Sequence, residues 1–154
     1  MEVASFSEKT AVTGVNAKDL SCKRVLVVED DKDVTALLNK VLQNTFKDAR
    51  VHWATSFEDS VRHLIENSEV AQKSPYDLII ADVFLEGHGI GLDLFKLINR
   101  TYSEIPFLIM SSLPYEQVSE ALEAEKKDNI VFLAKPFQLS QCKQKIKNLM
   151  SYQH

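Results

Sequence analysis

Four short runs of apolar, largely β-branched residues constrain this chain more than anything else in it. They are Arg24-Val25-Leu26-Val27-Val28, Asp77-Leu78-Ile79-Ile80-Ala81, Phe107-Leu108-Ile109-Met110 and Ile130-Val131-Phe132-Leu133-Ala134. Short runs without polar alternation belong to strands covered on both faces, as in a parallel sheet. Arg50-Val51-His52-Trp53-Ala54 is a fifth, weaker run. Helical stripes lie between them. Val34, Leu37, Leu38, Val41, Leu42 and Phe46 recur at helical spacing; Phe57, Val61, Leu64 and Ile65 follow a capping-box-like Ser56 and Asp59. Leu92, Phe95, Leu97 and Ile98 mark a third helix. Val118, Ala121 and Leu122 behind Pro114 mark a fourth, and Leu139, Cys142, Ile146 and Leu149 a fifth. Five strand–helix pairs predict an α/β domain, a doubly wound open five-stranded parallel sheet with five helices on both faces.

Length allows one such domain and little else: 154 residues fit a single globular unit of roughly 100–200 residues. Residues 1–22 carry no sustained period and read as an N-terminal tail, flexible or loosely docked; residues 23–152 form the domain. A net charge of −4 disfavours sequence-independent binding to nucleic acid, which calls for a basic surface. No stretch approaches the roughly 18 apolar residues of a membrane span, and the N-terminus lacks a basic and an apolar signal region. A cytoplasmic protein with no membrane contact is expected, with Cys22 and Cys142 as free thiols.

In an open parallel sheet the ligand sits beyond the carboxyl ends of the strands. There the sequence places Glu29-Asp30-Asp31, Asp82, Ser111-Ser112 and Lys135-Pro136. Clustered carboxylates repel unless a cation intervenes, and Mg²⁺ prefers carboxylate oxygens and water. A lysine opposes the remaining charge and can meet a phosphoryl oxygen. Taken singly, these are ordinary loop and cap residues, and Asp31 is assigned as a helix N-cap. Jointly, at four strand tips, they argue for one site. His52, His63, His88 and His154 show no ligand spacing, and His88 reads as a solvated loop residue.

Val27-Val28-Glu29-Asp30-Asp31, Asp77-Leu78-Ile79-Ile80-Ala81-Asp82, Pro106-Phe107-Leu108-Ile109-Met110-Ser111 and Lys135-Pro136-Phe137 resemble the receiver domain of two-component response regulators. The resemblance covers about residues 23–150 and implies a stand-alone receiver with a flavodoxin-like fold. It implies that Asp82 accepts a phosphoryl group from a phosphohistidine on a sensor histidine kinase or a histidine phosphotransfer protein. Mg²⁺ would be held by Asp30, Asp82 and the Phe84 backbone carbonyl, with Glu29 acting partly through water. Ser111 would be the switch hydroxyl, Lys135 the phosphoryl-binding lysine and Phe132 the aromatic switch residue. Output would run by protein–protein contact through the fourth helix, fifth strand and fifth helix to a downstream target. Glu116, Glu120, Glu123 and Glu125 stand there opposite Lys143, Lys145 and Lys147, a pattern that allows a phosphorylation-linked homodimer. The protein would be no enzyme toward other substrates, only transferring phosphoryl to itself and losing it slowly, because Phe84 and Leu113 flank the water path.

Glu86 stands where the family usually has proline, and residues 86–91 and 125–129 are longer than usual. Two rivals remain. One is a degenerate receiver binding partners without phosphorylation, against which Asp30, Asp82, Ser111 and Lys135 stand intact. The other is an aspartyl-phosphate hydrolase, which wants a second Asp where Phe84 is. Flavodoxin-type cofactor binding lacks a phosphate loop after the first strand.

Overall fold

The structure is a computed structural model that describes residues 22–71, 74–84, 90–125 and 128–151. Of the expected tail, residues 1–22, all but the last lie outside these, as does most of the 86–91 loop with Glu86 and His88; Cys22, expected in the tail, instead opens the first strand, paired with Asp48. The element order is β1 (Cys22–Val28), α1 (Lys32–Thr45), β2 (Asp48–Ala54), α2 (Phe57–Ala71), β3 (Leu78–Asp82), α3 (Ile90–Thr101), β4 (Phe107–Ser111), α4 (Tyr115–Ala121), β5 (Ile130–Ala134) and α5 (Leu139–Ser151). All strand pairs are parallel, in the order β2-β1-β3-β4-β5. The chain steps from β1 outward to β2 and then returns to β3 on the other side. The switch point therefore lies between the tips of β1 and β3.

The apolar runs form the sheet because each is covered twice. Leu26, Val28, Ile79, Ala81, Phe107 and Ile109 pack with Leu64, Leu94, Phe95, Ile98 and Val118 under α2, α3 and α4. Val25, Val27, Leu78, Ile80, Leu108 and Met110, the alternate residues, pack with Leu38, Val41, Leu42, Cys142 and Ile146 under α1 and α5. Every residue of β3 and β4 is buried, whereas four of the five β5 residues are at least partly exposed at the sheet edge.

Local signals fix the helix starts. Asp31 caps α1 as expected, its carboxylate accepting the Asp33 and Val34 N–H groups. Ser56 Oγ accepts the Asp59 N–H at the head of α2. Three stripe residues leave the core, Ala121 at the end of the fourth helix among them. Ile65 and Leu97 are exposed because Leu64 and Ile98, one position away and about 100° around each helix, take the sheet-facing places. The fourth helix is short: it ends at Ala121, and Leu122 N–H folds back onto Val118 and Ser119 carbonyls. Glu123 and Glu125 therefore lie beyond α4, and Glu125 pairs with Arg100 of α3 at 2.9 Å.

Candidate functional site

Backbone hydrogen bonds hold the four tips level. Glu29 N–H donates to Ala54 C=O, Val83 N–H to Met110 C=O and Lys135 N–H to Ser111 C=O, at 2.8–2.9 Å. The side chains of Glu29, Asp30, Asp82 and Lys135 are thereby brought to one place. Lys135 Nζ bridges Glu29 Oε1 at 3.2 Å and Asp82 Oδ2 at 3.0 Å. Carboxylate oxygens of Glu29, Asp30 and Asp82 lie within 4.8 Å of one another. Glu29 is 2% exposed and Asp82 8%, while Asp30 faces solvent.

Among the described residues, one ammonium thus bridges two of three neighbouring carboxylates. Burial pushes the Glu29 carboxyl above its ordinary range, helped by the nearby Asp82 charge; the Asp31 N–H bond and Lys135 oppose it without prevailing. For Lys135, burial disfavours the charged form, yet the bond to and charge of Asp82, with Glu29, outweigh it and hold the pKa above the usual lysine value. The site is short of positive charge. Its donor set, hard oxygens only and one side open to water at Asp30, fits Mg²⁺, which keeps several waters of its own.

The remaining expected residues are placed differently. Phe84 follows the β3 tip, its N–H 3.4 Å from Asp82 Oδ1 and its ring exposed. Ser111 is buried at the β4 tip, but its hydroxyl is turned onto its own loop. It accepts the Leu113 N–H at 2.8 Å and lies 3.4 Å from the Leu113 carbonyl oxygen. Phe132 is half-buried on the α2–α4 face, its ring edge-on to Tyr115 at 5.3 Å and 74°. The Lys135–Pro136 peptide bond is cis. Ser112, Asp33, Val34, Leu37 and Phe137 line an apolar groove of about 400 Å³ that reaches Lys135.

One residue of the site escaped sequence reading. Gly91, in the first turn of α3, donates its N–H to Val83 C=O, and a Cβ there would sit 1.9 Å from the Asp82 carbonyl oxygen. Only glycine lets α3 press against the β3 tip. A glycine just inside a helix that follows an acid-tipped strand is the signal that marks it.

Residues 25–147 match the family model described as the response regulator receiver domain. No curated protein matches the chain. Among solved structures, the non-phosphorylated HemR receiver domain of Leptospira biflexa is 24% identical, covering 84% of this chain and 94% of that one with a TM-score of 0.66. The phosphorylated cyanobacterial phytochrome response regulator RcpA is also 24% identical, over 86% and 94%, with a TM-score of 0.66. The response regulator TrrA of Thermotoga maritima, in complex with Mg²⁺ and beryllofluoride, is 22% identical over 82% and 98%, with a TM-score of 0.63. The three share its fold, the five-stranded parallel sheet with covering helices that the apolar runs predict. The family match spans every strand tip of the site, and this chain belongs to the response regulator receiver domains.

Proposed function

We propose that this protein is a phosphoacceptor signalling protein: Asp82 takes a phosphoryl group from a phosphohistidine of a sensor histidine kinase or histidine phosphotransfer protein. The observation that carries this is the bridge of Lys135 Nζ between Asp82 and the buried Glu29, with Asp30 alongside. A carboxylate oxygen of Asp82 attacks phosphorus, the P–N bond breaks, and its electron pair returns to the imidazole nitrogen. Lys135 is within reach of the arriving phosphoryl oxygens and opposes their charge. Glu29, Asp30, Asp82 and the Phe84 carbonyl are the groups that would hold Mg²⁺, which when bound neutralises charge on those oxygens.

The donor approaches over the groove formed by Val34, Leu37 and Phe137, which opens beside Lys135. Output passes by protein contact through α4, β5 and α5. Exposed Glu116 and Glu120 on α4 and Lys145 and Lys147 on α5 support pairing with a target or with a second copy. No helix among the described residues is long and apolar enough to cross a membrane, in keeping with a cytoplasmic signalling role. Phosphoryl transfer to itself and slow self-dephosphorylation are the whole of its chemistry.

Incubation with acetyl phosphate and Mg²⁺, read by intact mass, tests this. A single phosphoryl adduct is expected in the wild type, absent in Asp82→Asn and after chelation of the metal. No adduct under any condition would leave the phosphorylation-independent binding module.

A further inference from the structure

Tyr115 lies between two parts of the switch region, the Ser111 turn and the Phe132 ring. It is the first residue of α4, two residues after Leu113 and four after Ser111. Pro114 ahead of it provides no side-chain cap. The turn that delivers Tyr115 is instead fixed by the Leu113 N–H bond to Ser111 Oγ at 2.8 Å. Among the described residues the Ser111 hydroxyl donates to the Leu113 carbonyl oxygen alone, at 3.4 Å, too long for a good O–H donor. An anionic oxygen carried on Asp82 would be a far better acceptor. Turning toward it releases the Leu113 N–H, and with it the turn that places Tyr115.

The tyrosine ring lies edge-on to Phe132 at 5.3 Å, a favourable arrangement for aromatic pairs. It is 55% exposed, so packing elsewhere does not pin it. Beneath the two rings is a cavity of about 110 Å³ walled by Ile109, Val118, Leu122 and Ile130, which leaves both room to move.

We propose that Tyr115 is a positioning residue of the switch: its ring holds Phe132 in the resting arrangement and releases it when Ser111 turns to the ligand on Asp82. This rests on the phosphoacceptor reading of Asp82. A contact made only in the resting state opposes the ligated one, so its removal favours ligation.

The test uses beryllofluoride with Mg²⁺ as the probe, titrated into the full chain and followed by NMR shifts, with thermal melts confirming folding. Tyr115→Ala is expected to bind the probe about three- to fivefold more tightly. Tyr115→Phe, which keeps the ring, is expected to match the wild type. In the Ser111→Ala background, where the hydroxyl tether is gone, Tyr115→Ala is expected to change nothing. Unchanged or weaker binding by Tyr115→Ala, the same gain in the Ser111→Ala background, or failure of Tyr115→Phe to restore wild-type affinity would each overturn the role. A wild type that does not bind the probe at all would refute the phosphoacceptor reading itself, a different result from a wild type that binds and a Tyr115→Ala that follows it.

Discussion

Two buried polar networks lie on this sheet, and they have opposite character. At the strand tips, Glu29 and Asp82 meet Lys135 with Asp30 nearby. Under α2, Tyr76, 2% exposed, meets His52 Nδ1 at 2.7 Å and Asn67 Nδ2 at 3.2 Å, and Asn67 also donates to His63 C=O at 2.7 Å. The second network is closed. Tyr76 Oη accepts from Asn67 Nδ2 and shares a hydrogen bond with His52 Nδ1, so the three side chains serve one another. Burial, then the neighbouring His63 and Arg24, lowers the His52 pKa and favours its neutral form. The first network is unfinished, with three acids against one base. A buried cluster whose groups satisfy each other is a structural device; one left short of charge awaits a ligand.

The unfinished network depends on how closely α3 approaches it, and the largest effect is expected there. Gly91→Ala puts a Cβ against the Asp82 backbone carbonyl, and backbone cannot give way as a side chain can. A loss of about 3 kcal/mol is expected, read by urea denaturation, with impaired phosphorylation of whatever remains folded. Wild-type stability would show that α3 can retreat freely and that the tips are not held from that side.

Lys135→Ala removes the cation that bridges Glu29 and Asp82 and should cost about 2 kcal/mol in chelator, less than a fully buried pair because the lysine side chain is 18% exposed. Mg²⁺ should restore more stability to this variant than it adds to the wild type, since the acids then have no other counter-charge. Equal Mg²⁺ stabilisation in both proteins, measured by thermal melts, would mean that lysine and metal do not share the same charge deficit.

The closed network should respond to pH and not to metal. Burial pushes the Tyr76 hydroxyl up to about 12. An acid raised above its unfolded value near 10 stabilises the fold fully below that value and loses the contribution as pH climbs toward 12, roughly 2 kcal/mol in all. Cys142, likewise raised to about 12 by burial, adds a loss that starts near 9, so only the difference between wild type and Tyr76→Phe isolates the tyrosine. On the acid side, His52 is lowered; its contribution is complete above about 6.5 and falls away below. Tyr76→Phe should flatten the alkaline limb and leave phosphoryl uptake untouched. A change in uptake would join the two networks and end the contrast.

The charged network was legible in the sequence and the neutral one was not. Asp82, Ser111 and Lys135 each follow an uninterrupted apolar run, and topology alone brings such tips together. His52, Asn67 and Tyr76 sit in β2, α2 and a loop, 24 and 9 residues apart, with no period to connect them. Asp31 was readable because capping is local. The end of α4 was not, because a C-terminus without glycine or proline leaves no mark; Glu125 turned to Arg100 instead of extending an acidic face. Ser111 was placed correctly, yet its bond to Leu113 depends on a rotamer, which no pattern encodes.

The smallest expected effect concerns how long phosphoryl stays on Asp82. Hydrolysis needs a water in line with the acyl phosphate, and Phe84 and Leu113 offer no group to orient one. The structure separates the two. The Phe84 ring is 41% exposed beyond the β3 tip, on the open side of the site. Leu113 packs against the α2–α4 core, turned into the protein. Phe84→Asn should therefore act on the water directly, shortening the phosphoryl lifetime about threefold, under 1 kcal/mol of barrier. Leu113→Glu should leave the lifetime within about twofold while lowering the melting temperature, because it removes a packed side chain and buries a charge. Timed intact-mass measurements after removal of acetyl phosphate distinguish the cases. A shorter lifetime in Leu113→Glu alone would place the water path on the β4 side, next to the Ser111 turn, and take Phe84 out of it.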